Sequence, residues 1–132
     1  MTDAASHAPL RCLGVRGATV ADDNTAEAIL AATRELLRQL MAANGFNQDE
    51  VAAAFFTTTP DLNATFPAKA ARQLGWASVA MLDGHEMNVP EGLSRCIRVM
   101  VLINTRRAPA DLVPVYLRGA EILRTSVELV ED

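Results

Sequence analysis

The chain has 132 residues, half of them hydrophobic, and a formal net charge of −4 at pH 7. This length suits one compact domain rather than two, and the acidic balance argues against a nucleic-acid or membrane-surface partner. No apolar run approaches the ~18 residues that a membrane span needs, and the polar N-terminus lacks the features of a signal peptide. We expect a cytoplasmic domain over residues 10–126, with tails over 1–9 and 127–132.

The first predicted elements are a strand and a long helix. Residues 11–15 alternate as a strand does, and a loop is predicted to follow at residues 16–18. Asn24 and Glu27 have the spacing of a capping box, which predicts a helix start. The apolar face of that helix comprises Ile29, Thr33, Leu36, Leu37, Leu40 and Met41. Gly45 is predicted to end the helix.

The middle of the chain predicts strand, helix and strand. Residues 51–58 are a continuous apolar and β-branched run, which is typical of a strand buried on both faces. Pro67 suits the first turn of a second helix that runs to Leu74. A further strand is predicted over residues 78–82, followed by a turn at residues 83–84.

The last third contains the strongest predicted strand, residues 96–105. Asp111 can cap a short helix with Pro114 in its first turn. Gly119 would close that helix, which carries Tyr116, and residues 120–124 would form a last strand. The alternation of strands and helices predicts an α/β or α+β domain with a small mixed sheet. Exposed sheet edges favour an oligomer that covers them.

Two cysteines, Cys12 and Cys96, lie in apolar segments. We expect buried thiols rather than a disulfide. The sequence has no CxxC pair and no histidine cluster, so no metal site is expected.

Arg98 is a cation inside the strongest predicted strand. Alternation places it on a face with Cys96, Met100 and Leu102, and neither face is an obvious solvent face. A buried guanidinium requires an anionic or strongly polar partner. The residues alone leave open a structural ion pair, a strand end that reaches solvent, and a site for an anionic ligand.

Each of the other candidate residues, taken alone, can also be explained without a function. Arg16 precedes Gly17, where a backbone can approach a ligand closely, but loop arginines are common. Glu86 could be a solvated loop carboxylate, Tyr116 a packing residue and Arg124 a solvated strand end. Together they fit a binder of small carboxylates, or an enzyme that needs electrostatics without a covalent step.

Several ordered motifs resemble those of the AroH-class chorismate mutases. They are residues 16–19, 59–62, 66–72, 86–87, 92–93, 96–100, 115–117 and 123–124. The resemblance implies a homotrimer with a pseudo-α/β-barrel appearance and active sites between neighbouring subunits. It implies conversion of chorismate to prephenate in phenylalanine and tyrosine biosynthesis, by an intramolecular rearrangement that needs no cofactor, metal or covalent intermediate.

The resemblance also implies residue roles. Arg98 would stabilise charge on the ether oxygen of the substrate in the transition state, and Glu86 would accept a hydrogen bond from the ring hydroxyl. Arg16 and Tyr116 would hold substrate carboxylate. Further substrate-binding positions are Phe66, Ala68 and Lys69 in the pocket, Arg72 and Arg124 near its entrance, and Leu123. Asp83 replaces a cysteine that the best-known members carry near the substrate hydroxyl.

Two other functions are compatible with a small trimer. One is a non-catalytic binder or sensor of an aromatic-pathway metabolite, which would not need a group at the ether oxygen. The other is an enamine or imine deaminase of similar shape, which the strand at residues 96–100 disfavours.

Overall fold

The computed structural model describes residues 8–90 and 92–124. Its elements are β1 (Arg11–Val20), α1 (Ala26–Asn44), β2 (Val51–Thr58), α2 (Ala68–Gln73), β3 (Ala80–His85), β4 (Cys96–Thr105) and β5 (Val115–Tyr116), with 3-10 turns at Gln48–Glu50 and Pro109–Asp111. The five strands form one sheet in the order β3-β2-β4-β1-β5. The predicted α+β domain with a mixed sheet is confirmed. Residues 1–7 and 125–132, which include most of the two predicted tails, lie outside the described residues.

The sheet is mixed because its centre is antiparallel and its edges are parallel. β4 pairs antiparallel with both β1 and β2. β3 adds parallel to β2, and β5 adds parallel to β1. β4, whose Ile97, Val99, Val101 and Ile103 are buried, therefore occupies the centre of the sheet.

Helix α1 covers one face of the sheet. Its predicted apolar face is confirmed, because the residues at those positions are buried apart from Met41, which is half-buried. Three of its buried leucines, Leu36, Leu37 and Leu40, pack with alternate residues of the strands, including Val15, Phe56, Val99 and Val101. Ile29 packs with Ile97 in a second, smaller cluster. This layer is the hydrophobic core.

The C-terminal end of α1 is at the predicted residue, whereas its N-cap is not. Gly45 is the C-cap with φ 65°, as predicted. The N-cap is Thr25, whose hydroxyl accepts from the Ala28 N–H at 3.1 Å, so the prediction of Asn24 was wrong. The Asn24 side chain instead accepts from the backbone N–H groups of Asn63 and Ala64 at 3.0 and 3.1 Å.

β1 continues through the residues for which a loop was predicted. Arg16 and Ala18 pair with Met100 and Arg98 on β4. A Cβ on Gly17 would lie 2.9 Å from Leu40 Cδ1. The glycine therefore allows close packing of the strand against α1, and it does not mark a strand end.

The predictions for β2 and β3 were partly wrong. β2 has the predicted bounds, but its burial alternates, with Phe56 buried and Phe55 exposed, so only one face is covered in the protomer. The predicted turn at Asp83 and Gly84 lies inside β3, because these residues pair with Phe56 and Thr57. Pairing with β2 overrides the local turn preference of an Asp-Gly sequence.

The C-terminal part of the sheet also departs from prediction. Tyr116 lies on β5 rather than on a helix, since it pairs with Ala18. Asp111 ends a 3-10 turn instead of capping a helix that contains Pro114. The predicted strand over residues 120–124 is absent, and residues 122–124 are helical after a turn at Gly119, whose φ is 97°.

The two cysteines are free thiols, and only Cys96 is buried. Cys12 is exposed, which corrects the expectation of two buried thiols; its backbone pairs with exposed Asn104. Within residues 8–90 and 92–124, no helix is long and apolar enough to cross a membrane. In the same residues, no group of three or more His, Cys, Asp or Glu could hold a metal ion.

Candidate active site

The sheet face opposite α1 is open in the protomer. Arg98 lies on this face with 48% of its side chain exposed, so the guanidinium is not buried in the single chain. The same face carries a row of exposed apolar side chains, namely Leu82, Phe55 and Met100. An exposed apolar patch that contains charged groups is typical of a binding or association surface.

Four backbone pairings align five residues across the whole sheet. In order from β3 to β5 they are Gly84, Thr57, Arg98, Ala18 and Tyr116. Strands are about 4.8 Å apart, so the backbones of Arg98 and Tyr116 are about 10 Å apart. Arg16 lies on the same strand face as Ala18, opposite Met100. The sheet therefore presents Arg16, Arg98 and Tyr116 within the span of a small ligand.

Glu86 joins this row from the end of β3. Its backbone N–H donates to the Thr58 carbonyl at 2.8 Å, which fixes the chain just beyond the strand. Its Oε2 lies 3.6 Å from Arg98 Nε, and 28% of its side chain is exposed. The Thr57 hydroxyl donates a hydrogen bond to the same oxygen. A carboxylate and a guanidinium thus stand side by side, and both remain accessible.

Tyr116 and Arg124 form a second contact at the β5 edge. The Arg124 guanidinium lies 5.1 Å from the centre of the Tyr116 ring, a cation–π distance. Arg124 also donates to the Pro114 carbonyl at 3.2 Å. Half-buried Leu123 precedes Arg124 in the short helical segment. These contacts place a cation beside the tyrosine at the end of the row.

Asp83 lies on the other face of β3 from Gly84, because successive strand residues alternate. Its Oδ1 accepts the Ala68 N–H of α2 at 2.9 Å. Burial raises the pKa of the Asp83 carboxyl, although the hydrogen bond from Ala68 and the charge of Arg72 oppose the shift. Asp83 and Phe66 also line a cleft of about 470 Å³. The predicted role of Asp83 near a substrate hydroxyl stays a prediction.

Helix α2 carries the remaining predicted site residues. Ala68 is buried, whereas Lys69 and Arg72 are exposed, and Phe66 is exposed just before the helix. Within the part of the chain that the structure describes, no hydrogen bond or ion pair joins Lys69 or Arg72 to Arg98. The predicted site residues therefore form separate groups in one protomer.

Thr57 lies beside Arg98 and Glu86 in the candidate site, and the sequence did not indicate it. The sequence pattern contains part of the information, because alternation along β2 puts Thr57 on the face opposite buried Phe56 and Thr58. The register that pairs it with Arg98 comes from contacts distant in the chain.

The chemistry of this arrangement is electrostatic. Burial raises the pKa of the Cys96 thiol, so the cysteine nearest to Arg98 stays protonated and is a poor nucleophile. The accessible charges are the guanidiniums of Arg16 and Arg98 and the carboxylate of Glu86. Fixed charges of this kind can bind an anion and stabilise charge that develops on a bound molecule.

Comparisons with known proteins agree over most of the chain. A family model described as chorismate mutase type I matches residues 12–127. The chain is 47% identical to "Chorismate mutase AroH" of Thermus thermophilus over 116 residues, which are 87% of this chain and 95% of the relative. It is 38% identical to the protein of the same name in Bacillus subtilis over 120 residues, 90% of this chain and 94% of the relative. A solved structure, "Chorismate mutase from Clostridium thermocellum Cth-682", has a TM-score of 0.82 and 44% identity, covering 83% of this chain and 98% of that one.

Proposed function

The chain belongs to the chorismate mutase type I family and is a chorismate mutase, and we propose that it catalyses the rearrangement of chorismate by means of fixed charges centred on Arg98. The reaction, chorismate to prephenate, breaks one C–O bond while a C–C bond forms within the same molecule. Because no proton must move and no covalent intermediate is needed, the enzyme can act by binding the transition state more tightly than the substrate.

Arg98 is the residue that carries this proposal. Negative charge grows on the ether oxygen as the C–O bond stretches, and a guanidinium at that oxygen stabilises the stretched state. The supporting observation is the open position of Arg98, which lies in the central strand with 48% of its side chain exposed. A guanidinium that served only the fold would be expected to use its donors on the protein.

Glu86, Arg16 and Tyr116 would orient the substrate around Arg98. We assign to Glu86 the hydrogen bond from the ring hydroxyl, and to Arg16 and Tyr116 the grip on a substrate carboxylate. The shared register of Arg98 and Tyr116, with Arg16 on the next row, supports this assignment. Such contacts select the compact conformer in which the reacting carbons meet.

The remaining predicted positions would form the walls and the entrance of the pocket. We assign the walls to Phe66, Ala68, Lys69 and Asp83, and the entrance to Arg72, Leu123 and Arg124. Entrance guanidiniums attract a dianion before it binds. The cation–π contact of Arg124 with Tyr116 supports a place for Arg124 at the rim of the Tyr116 subsite.

The active protein would be a homotrimer whose sites lie between subunits. Two observations support association: the open sheet face carries Phe55, Leu82 and Met100 exposed, and Lys69 and Arg72 project from α2. A neighbour that packed against the open face would cover the apolar residues. It would also bring its own α2 to the Arg98 of the first subunit.

The cytoplasm is the compartment we assign to this enzyme. Both cysteines are free thiols, which suits a reducing compartment. Fractionation of the native cells would test the assignment, and recovery of the activity with a periplasmic or membrane marker would contradict it.

The direct test of the proposed function is a chorismate assay with a binding control. Purified protein is mixed with chorismate, and its loss and the formation of prephenate are followed. Conversion well above the spontaneous rate, lost on replacement of Arg98, supports the proposal. Tight binding of chorismate without conversion would instead identify a metabolite sensor.

A further inference from the structure

Thr57 carries a hydroxyl on the sheet face that presents Arg98. Its backbone pairs with Arg98 on one side and with Gly84 on the other. Directly opposed residues point to the same face of a sheet, so its side chain stands beside that of Arg98. Its hydroxyl donates to Oε2 of Glu86. Two hydrogen bonds therefore fix Glu86, one from its backbone N–H to the Thr58 carbonyl and one from the Thr57 hydroxyl to its carboxylate.

We propose that Thr57 is a positioning residue that keeps Glu86 from closing onto Arg98. The inference rests on the roles proposed above for Arg98 and Glu86. Arg98 Nε lies 3.6 Å from Glu86 Oε2, which is longer than the ~2.7–2.9 Å of a charge-assisted hydrogen bond. A carboxylate can accept two hydrogen bonds from one guanidinium. The Thr57 hydroxyl donates to Oε2, the Glu86 oxygen nearest to Arg98. It therefore competes with a pairing in which Glu86 accepts two hydrogen bonds from the Arg98 guanidinium.

The consequence of this separation is electrostatic. A guanidinium in a closed pair with a carboxylate has less charge to offer a developing oxyanion, because the neighbouring negative charge offsets it. In the part of the chain that the structure describes, the hydrogen bond and the ion pair of the Glu86 side chain are both made by Oε2, and none is made by Oε1. Oε1 of Glu86 can thus accept a hydrogen bond from the ring hydroxyl of the substrate, and Arg98 can interact with the ether oxygen of the substrate.

The first test is Thr57→Val, which removes the hydroxyl and keeps a β-branched side chain of similar size. We expect kcat to fall about tenfold, the scale of a lost hydrogen bond to a charged group. KM should change less than about threefold, since both ligand-binding charges remain. Thr57→Ser retains the donor and should keep kcat within about threefold of the unaltered enzyme. A melting curve for each variant shows whether folding is unchanged, and Thr57→Ala serves as the second variant if the valine protein does not fold.

A double-mutant cycle separates an effect through Glu86 from an effect elsewhere. In a Glu86→Ala background, Thr57→Val should cost less than about twofold in kcat, because its partner is already absent. An equal loss in both backgrounds would overturn the proposal.

A crystal structure of Thr57→Val gives a readout that does not depend on activity. We expect the Arg98–Glu86 distance to fall below the present 3.6 Å. An unchanged distance would overturn the proposal. If Glu86→Ala were fully active, the role proposed for Glu86 would fail, and this distance would still decide whether Thr57 positions the carboxylate.

Discussion

Arg98 Nε stands 3.6 Å from Glu86 Oε2, with 48% of the Arg98 side chain and 28% of the Glu86 side chain exposed. An ion pair this accessible contributes little to folding, because water screens the charges and ordering two long side chains costs entropy. The pair is better suited to a ligand than to the fold. Activity and stability should therefore respond very differently to its removal.

Arg98→Ala should be nearly inactive and still folded. The loss of one preorganised charge of this type costs ~3–4 kcal/mol of transition-state stabilisation, or about two to three decades in kcat. Arg98→Lys should also be poor, because an ammonium lacks the planar fork of donors. Steady-state rates with chorismate measure the loss, and thermal melting measures the stability.

The matched control for Arg98 is Arg38→Ala, which removes an exposed arginine from α1. It should retain the activity of the unaltered enzyme, since it leaves the open sheet face intact. Near-normal turnover by Arg98→Ala would show that another residue stabilises the transition state.

The elements that the sequence predicted well are those with a strong local signal. β4 has its predicted bounds because ten residues in succession suit a strand. Gly45 ends α1 because the left-handed conformation there favours glycine. By contrast, β5 has only two residues and owes its existence to pairing with β1. Asp83 and Gly84 are extended for the same reason, and no local pattern reveals such a pairing.

For the candidate site, the sequence named the charged residues and could not supply their arrangement. Arg98 was identified by its contrast with an apolar strand, but its exposure depends on which sheet face α1 covers. The contact between Glu86 and Thr57 joins positions 29 residues apart. It depends on the register of β2 with β3 and β4, which a single sequence does not reveal.

Asp83 should make stability depend on pH. Burial raises the pKa of its carboxyl above the ordinary 3.8, so the folded protein holds the proton more tightly than the unfolded chain does. Its contribution is fully present below 3.8 and is lost as the pH rises through the raised pKa. Asp83→Asn, which can still accept the Ala68 N–H, should therefore be more stable than the unaltered protein at pH 7.

The measurement for Asp83 is urea unfolding of both proteins at pH 7 and at pH 4, at one protein concentration because association adds to stability. The advantage of Asp83→Asn should shrink at the lower pH. An advantage that grew on acidification would contradict the raised pKa.

Thr25 should stabilise the start of α1. Thr25→Ala leaves the Ala28 N–H without its acceptor and should cost about 1 kcal/mol of unfolding free energy. Hydrogen exchange at the Ala28 amide should accelerate in this variant. Thr25→Ser retains the hydroxyl and should behave like the unaltered protein. Unchanged exchange at Ala28 in Thr25→Ala would mean that another group caps the helix.

A site shared between subunits should allow two defective proteins to restore each other. Arg98→Ala removes the charge on the sheet face, and a second protein with Lys69→Ala and Arg72→Ala removes the charges on α2. If the protein forms the proposed homotrimer and each site combines the face of one subunit with α2 of the next, each mixed trimer contains one intact site. Refolding the two proteins together should then recover activity, up to about a third of normal in each mixed trimer.

The control for this experiment mixes Arg98→Ala with Glu86→Ala, two variants altered on the same sheet face. Every site in those mixed trimers keeps one defect, so no recovery is expected. Each mixture is assayed with chorismate, and the trimer fraction is isolated by size before assay. Activity equal to the average of the two parent proteins, in both mixtures, would mean that each site is built within one chain. Recovery confined to the first mixture follows only when Arg98 acts together with the α2 of a neighbour.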